Sequence, residues 1–176
     1  MYKLENVDEN MDVTTTRFGT VSVQEMDLLH FEHGLIGLEQ CQSWILLADG
    51  QNESLGWLQN IDRSEVAVAI VSPRLFVPDY QLRMASHELS RLQSTDLSVN
   101  GPTEDLQSPD GRSDIQVVVI VSRQAEGLSL NLKAPLVINV QTRHGSQVVI
   151  RDDYSVRHPL MIPLTRSVIE ELKKIA

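Results

Sequence analysis

The alternation of apolar and polar residues between positions 128 and 150 predicts consecutive short β-strands. Apolar side chains occupy every second position over 128–132 and again over 136–140, as expected where one face of a strand is buried. A polar turn ending at Gly145 then returns the chain through 148–150, which is typical of a hairpin whose loop contains glycine. This part of the chain therefore indicates an antiparallel sheet.

Other apolar runs extend the same picture along the chain. They predict a hairpin over 12–23 and strands at 44–48, 55–59, 66–71 and 117–121. The run at 44–48 is expected to be buried on both faces, because it is apolar throughout. With about eight to ten short strands and no alternation of strands with long helices, the pattern favours an all-β barrel or sandwich over an α/β fold.

The remaining segments suggest one domain with additions. Residues 1–11 are polar and predict a flexible arm, and 12–164 form the single predicted domain. Within it, a short helix is expected at 86–92, followed by a solvated loop over 93–115 that is rich in Ser, Asp, Gly and Pro. Apolar residues at helical spacing after a capping threonine predict a C-terminal helix over 165–176.

Composition narrows the classes of partner. Fifteen basic and twenty-four acidic residues give a net charge of −9, which argues against direct binding to nucleic acid or to an anionic membrane. The same charge would attract a basic protein. The single cysteine, Cys41, fits a reducing compartment, and neither a signal peptide nor an apolar run of membrane-spanning length is recognisable. We therefore expect a cytoplasmic protein.

Catalytic motifs are not recognisable in the sequence. It has no glycine-rich phosphate loop, no zinc-protease motif and no nucleophile elbow, so no enzymatic activity and no cofactor are predicted. His30 and His33 flank Glu32 and could be imagined as metal ligands, although catalytic zinc needs three protein ligands. The alternative function is therefore a small-ligand or metal-binding β-barrel that uses the 31–39 loop, and exposed loop histidines are the simpler interpretation.

One string within the predicted sheet resembles a known family. The segment 131–139, followed by Arg143, Gly145 and Gln147, resembles the flagellar assembly factor FliW family; its residues are Asn131, Leu132, Lys133, Ala134, Pro135, Leu136, Val137, Ile138 and Asn139. This is the most specific single resemblance in the chain.

Five further motifs occur in the order that the family shows, between about Thr16 and Leu160. They are Arg17-Phe18-Gly19; Phe31, Gly34, Leu35, Gly37 and Glu39; Trp57-Leu58-Gln59 with Asp62; Pro73, Phe76, Pro78, Asp79 and Tyr80; and Arg157-His158-Pro159-Leu160. Family members often have prolines at the positions of Glu32 and Ile36 and an aromatic residue at Leu38, so the loop may differ in shape in this chain.

The resemblance implies a compact β-barrel-like protein without a catalytic site. Members of the family bind newly made flagellin and also the RNA-binding translational repressor CsrA. After flagellin is exported, the freed family member captures CsrA and releases flagellin mRNA for translation. An acidic chain is compatible with a basic RNA-binding partner. The simplest alternative is an acidic scaffold with no specific partner.

The first candidate contact surface lies between two prolines. Phe76, Pro78, Asp79 and Tyr80 combine aromatic and proline residues on an irregular segment, and such residues are frequent interface anchors. In the alternative interpretation, Phe76 plugs the end of the barrel and Tyr80 donates a hydrogen bond to nearby backbone.

Other candidates follow from exposure and charge. Asn131 and Lys133 are expected on the polar face of a strand, available to a partner, although a merely solvated face is the default. Glu39, Asp62 and Asp79 are candidates for electrostatic contact, where single changes should mainly alter association rates. Trp57 and Leu58 are expected in the core, and Asn139 as a semi-buried amide with a structural role.

Overall fold

The computed structural model describes residues 10–82, 84, 92, 114–125 and 127–160, and these contain eleven β-strands. Two single turns of 3-10 helix, Glu25–Asp27 and Pro73–Leu75, interrupt them. The strands are β1 (Asn10–Thr15), β2 (Gly19–Gln24), β3 (Leu28–Phe31), β4 (Ser43–Ala48), β5 (Leu55–Asn60), β6 (Ala67–Val71), β7 (Ile115–Gln124), β8 (Gly127–Leu130), β9 (Leu136–Asn139), β10 (His144–Gln147) and β11 (His158–Pro159).

Seven of these strands close into a barrel. The sheet runs in the order β7-β6-β5-β4-β3-β10-β9, and β9 pairs back onto β7. Every pair in this ring is antiparallel except β3 with β10, which is parallel. The predicted all-β barrel is confirmed.

The barrel interior is an apolar core with two large aromatic side chains at one side. Phe31 and Trp44 are fully buried there. They pack with Leu29, Leu58, Ile70, Leu136 and Ile138, which come from four of the barrel strands, β3, β5, β6 and β9. Gly145 of β10 lies directly against the Phe31 ring, because a Cβ atom at this position would overlap the ring.

Two further layers cover the outside of the barrel. The β1–β2 hairpin packs Val13 and Val23 onto Ile45 of β4. On β5, β7 and β9, the residues Trp57, Val119 and Val137 belong to a second cluster that is covered by Tyr80, Leu82, Met84, Leu92, Leu130, Leu132, Val148 and Ile150. The barrel wall is therefore buried on both faces at β5, β6, β7 and β9.

Strand β7 is long enough to pair with two successive strands on one side. Its residues 121–124 pair with β8, and its residues 115–118 pair with β9. Between these pairings, five residues of the other chain segment, 131–135, face only two residues of β7, Val119 and Ile120. We call 131–135 the insertion; it lets one continuous strand belong to both the barrel and its outer layer.

Several local predictions were wrong. Strand β1 begins at Asn10, inside the predicted arm, and β3 was not predicted because 24–43 has no clean apolar period. The strand after the 141–143 turn is His144–Gln147, and Arg143 rather than Gly145 has the positive φ, at 59°. Strand β4 is buried only in its first half, since Leu46 is 46% exposed.

Other local predictions concern residues that are only partly described. The predicted helix at 86–92 is described only at Leu92, and the C-terminal helix at 165–176 lies outside the described residues. Of the predicted 93–115 loop only the end is described, and β7 already begins at Ile115. None of the helical segments that the structure does describe has the length and hydropathy of a membrane span.

Gly145→Ala should destabilise the fold by about 1–3 kcal/mol, because the added methyl group overlaps the Phe31 ring inside a closed barrel. Urea denaturation followed by tryptophan fluorescence measures this. Gly50→Ala is the matched control, since nothing lies within 4 Å of its added Cβ. Equal stability of the two variants would contradict the proposed close packing.

Candidate partner-binding surfaces

The 73–80 segment presents a small tip outside the barrel. The amides of Phe76 and Val77 donate to the Pro73 carbonyl at 3.1 and 2.9 Å, and Tyr80 N donates to Val77 O at 2.9 Å. These successive turns half-bury Phe76 against the outer cluster rather than in the end of the barrel, where the alternative interpretation placed it, and leave Pro78 and Asp79 exposed. Of the four candidates on this segment, Pro78 and Asp79 are the accessible ones.

Tyr80 attaches this tip to the insertion through a buried hydrogen bond. Its side chain is completely buried, and its hydroxyl donates to the Leu132 carbonyl at 2.8 Å. Its ring lies 4.6 Å from that of Tyr154. Burial raises the pKa of the Tyr80 hydroxyl well above its usual value, and the nearby Tyr154 and Asp152 add to the shift. Tyr80 was predicted as a partner contact, but in this fold it is a buried neutral donor that holds 73–80 onto the insertion.

Asn131 and Lys133 were expected to be solvent-facing, and the structure corrects this. Asn131 Oδ1 accepts the Ala134 amide at 3.0 Å, which closes the turn of the insertion. The Lys133 ammonium donates to the carbonyl of Asp152 at 2.6 Å and to that of Arg151 at 3.4 Å. Both side chains are half-buried, because 131–135 is a folded turn rather than the predicted continuation of a strand. Their polar atoms stabilise the chain itself.

The 31–39 loop is a tight turn across one end of the barrel. Leu35 is buried and bridges to Leu38, and Gly34 takes a φ of 64° where a Cβ would collide with the backbone of Leu38 and Glu39. At the tip, the Ile36 amide donates to Gln147 Oε1 at 2.7 Å. The loop is therefore well ordered despite lacking the prolines that family members often have at Glu32 and Ile36.

Glu39 is exposed at the end of this loop. Its carboxylate accepts the Gly37 amide at 2.8 Å. This hydrogen bond, together with one from its own backbone, lowers the pKa of Glu39 below its usual value. Glu39 therefore keeps its negative charge at neutral pH and stays accessible to a partner.

The histidines that motivated the metal-binding alternative do not converge. His33 is 75% exposed and lies 3.9 Å from Glu32, while His30 stacks edge-on against His144 at 5.9 Å. Among the described residues, no group of three His, Cys, Asp or Glu side chains could hold a metal ion. A small cavity of about 90 Å³ lies beside His33 and His144, and nothing in its geometry singles out a ligand.

Asp62 lies on a turn that is held in place by the buried side-chain amides of Gln59 and Asn60. Asn60 Oδ1 accepts the amides of Asp62 and Arg63 at 3.2 and 3.0 Å, and its Nδ2 donates to Ser43 O at 2.8 Å. Gln59 Nε2 lies within 3.3 Å of four carbonyl oxygens of the same turn. The turn at 61–65 is therefore rigid, and Asp62 is exposed on it.

A neighbouring acidic pair was missed in the sequence. Asp12 of β1 and Glu65 line an open groove of about 630 Å³ together with Asp62. The alternation of 12–15 puts Asp12 and Val13 on opposite faces of the strand, so the exposure of Asp12 follows from the sequence. Nothing in the sequence indicates that β1 lies beside 61–65. The Thr16 amide establishes this proximity by donating to Ser64 O at 2.9 Å.

The Arg17-Phe18-Gly19 motif of the family resemblance packs against the protein's own Trp57. The guanidinium of Arg17 lies 4.3 Å from the centre of the Trp57 ring, and Phe18 meets the same ring edge-on at 5.7 Å. Trp57 Nε1 donates to Asp49 Oδ2 at 3.1 Å. Trp57 and Leu58 are buried, so their predicted core position is confirmed. Asn139 is also buried and accepts two amides of the following turn.

Tyr80→Phe should lower the free energy of unfolding by about 1–3 kcal/mol, because it leaves the buried Leu132 carbonyl without its donor. In the wild type, Tyr80 ionises more easily in the unfolded chain than in the folded protein, so the free energy of unfolding falls as the pH rises above ~10. Tyr80→Phe removes this ionisable group, and its stability should therefore fall less above that pH. Urea denaturation at pH 7 and at higher pH measures both effects. Tyr154→Phe is the control, because the hydrogen bond that its hydroxyl makes with a described residue is a 3.2 Å bond accepted from the exposed Gln81 amide. An equal loss of stability in both variants would contradict the anchor role.

Comparison with known proteins identifies relatives of this chain. The model of the family described as FliW protein matches residues 12–160. The flagellar assembly factor FliW of Caldanaerobacter subterraneus subsp. tengcongensis is 30% identical over 153 residues, covering 86% of this chain and 93% of that protein. The flagellar assembly factor FliW of Magnetococcus marinus is 30% identical over 161 residues, covering 92% of this chain and 91% of that protein.

A solved structure agrees with these relatives. The crystal structure of a flagellar assembly factor FliW superimposes with a TM-score of 0.72 at 25% identity, covering 86% of this chain and 98% of that one. The family match also includes every strand from β2 to β11. The chain therefore belongs to the FliW protein family.

Proposed function

We propose that this protein is a cytoplasmic flagellar assembly factor that binds flagellin and a CsrA-type RNA-binding repressor, and that it controls flagellin translation by exchanging one partner for the other. The observation behind the proposal is the family match over residues 12–160. The proposed activity is binding rather than catalysis, and it needs no cofactor.

Charge supports the choice of a basic partner. The chain has a net charge of −9, and Glu39, Asp62 and Asp79 expose carboxylates on three different loops. Such a surface speeds the encounter with a basic protein and, once bound, repels RNA phosphates. Binding of the repressor by this chain would in this way oppose binding of mRNA.

The tip at Pro78 and Asp79 is the proposed apolar and acidic contact. It is exposed, and the buried Tyr80 hydroxyl fixes its position through the Leu132 carbonyl. A contact that is rigid before binding loses little conformational entropy when the complex forms. Phe76 supports the tip through its half-buried ring.

Partner exchange requires that the two ligands oppose each other. If flagellin and the repressor use one site, they exclude each other directly. If they use two sites, the coupling free energy between them must be the same whichever ligand binds first. Either arrangement lets export of flagellin release the protein for the repressor.

Isothermal titration of this protein with the CsrA homologue of its own organism tests the proposal, first alone and then with flagellin pre-bound. We expect tight binding that flagellin weakens by at least about tenfold, which is a coupling of roughly 1.4 kcal/mol. Binding of neither protein would overturn the proposed function. Simultaneous binding with unchanged affinities would overturn partner exchange.

A salt series tests the electrostatic part. Between about 50 mM and 500 mM salt, the association rate with the repressor should fall while the dissociation rate changes little, because exposed charges act mainly on the encounter. Asp79→Asn should lower the association rate at low salt more than Asp153→Asn, which removes the same charge from another exposed position outside the proposed tip. A rate that does not depend on salt would contradict electrostatic steering.

A further inference from the structure

Strand β1 has one edge that the described strands leave unpaired. It forms a two-stranded sheet with β2, in register from Asn10 with Gln24 to Thr15 with Gly19. Among the described strands, no other pairs with β1. An unpaired edge presents a row of backbone donors and acceptors that another extended segment can use.

The alternation of an antiparallel pair indicates which backbone groups lie on this edge. In an antiparallel pair, the N–H and C=O groups of every second residue point away from the partner strand. The amide of Thr16 points away from β2, since it donates to Ser64 O at 2.9 Å. By alternation, Thr15 faces β2, and the amides and carbonyls of Asp12 and Thr14 face outward.

The groove beside this edge is open to solvent. It is lined by residues 11–14 on one side and 61–65 on the other, and its volume is about 630 Å³. Its far wall is the rigid turn held by the buried amides of Gln59 and Asn60. The groove is therefore preorganised.

The charged side chains of the groove indicate the kind of ligand that it would bind. Its described charged residues are Asp12, Asp62, Arg63 and Glu65. The Arg63 Nε lies 3.4 Å from Glu65 Oε1, so these two charges compensate each other. The carboxylates of Asp12 and Asp62 remain, both exposed and both on the lining. A basic segment complements this arrangement.

We propose that a basic, extended segment of a protein partner binds in this groove as a third strand on β1, with its backbone on the edge at Asp12 and Thr14 and its cationic side chains on Asp12 and Asp62. Strand addition supplies affinity through the backbone, and the carboxylates supply selectivity. The identity of the partner rests on the proposed function, in which the repressor is the basic ligand. The proposal that the groove binds a basic segment does not depend on that function.

Amide hydrogen exchange measured by NMR tests the strand addition. The amides of Asp12 and Thr14 should exchange more slowly on addition of the CsrA-type repressor, and separately on addition of a short synthetic peptide of alternating lysine and valine. Slowing by the peptide but not by the repressor would retain the groove and overturn the proposed partner. No slowing with either probe would overturn the groove.

Charge reversal tests the ionic contacts. Asp12→Lys combined with Asp62→Lys should weaken repressor binding by at least about tenfold more than the control pair Glu53→Lys with Asp153→Lys, which changes the net charge equally at exposed positions elsewhere. Equal affinities of the two double variants, with the wild type binding well, would overturn the groove and leave the proposed function standing.

Proline substitution tests the backbone contacts. Thr14→Pro removes an outward amide without removing a bond to β2, so it should abolish slow exchange at Asp12 and weaken binding while the melting temperature stays near that of the wild type. Ser22→Pro is the control, since Ser22 pairs with Asp12 and its amide points away from β1. An equal loss of binding in the two variants would contradict strand addition.

Two other occupants are distinguished in the same experiment. A chain that starts at Asn10 tests whether residues 1–9 use the edge, and dilution tests whether a second copy does. If the amides of Asp12 and Thr14 are already protected in the free protein, and removal of 1–9 or dilution abolishes that protection, the proposal of a partner segment is overturned.

Discussion

The five-residue insertion at 131–135 is the constraint on which the rest of the structure depends. It separates the pairing of β7 with β8 from the pairing of β7 with β9, and the second of these closes the barrel. Its backbone is fixed from several directions: the Leu132 amide donates to Ser155 O at 3.1 Å, its carbonyl accepts Tyr80, and the Lys133 carbonyl accepts the Ile150 amide at 3.0 Å. These bonds tie the outer layer to the barrel beside the pair of strands that closes it.

This arrangement divides the molecule into a rigid centre and exposed loops. Both faces of the wall are buried where the outer cluster covers it, so partners cannot reach β5, β6, β7 or β9 there. Among the described residues, several connections remain accessible, including the 31–39 loop, the 61–65 turn beside β1 and the tip at Pro78. Each is held by buried side chains, so the binding surfaces are positioned by the same packing that stabilises the fold.

The sequence predicted the architecture because burial leaves a local pattern. Alternation revealed most strands, and the Trp57 run was correctly placed in the core. Strand β3 escaped detection because its segment has no clean apolar alternation, and the parallel pairing of β3 with β10 joins segments more than 100 positions apart. Gly145 was assigned to a turn, although it is glycine because the Phe31 ring leaves no room for a Cβ.

The candidate site was harder to predict, since exposure depends on tertiary contacts. The alternating pattern predicts that Asn131 and Lys133 are accessible, whereas their side chains hydrogen-bond to nearby backbone. Tyr80 was equally inaccessible, for the reason that its hydroxyl finds an internal acceptor. Asp62 was recognised as exposed, but its neighbour Asp12 is fifty residues away in sequence. The most recognisable string of the family thus lies in the scaffold.

Lys133→Met tests this division most directly, because it removes the ammonium group while keeping most of the aliphatic chain. The free energy of unfolding and the affinity of the folded protein for the CsrA-type repressor are measured together, with Arg157→Met as a control that removes an equal charge from an exposed position. We expect Lys133→Met to lose about 0.5–1.5 kcal/mol of stability, through its bonds to the Arg151 and Asp152 carbonyls, with affinity equal to that of the control. Unchanged stability with affinity reduced tenfold or more would show that the insertion is a partner contact and would contradict the account.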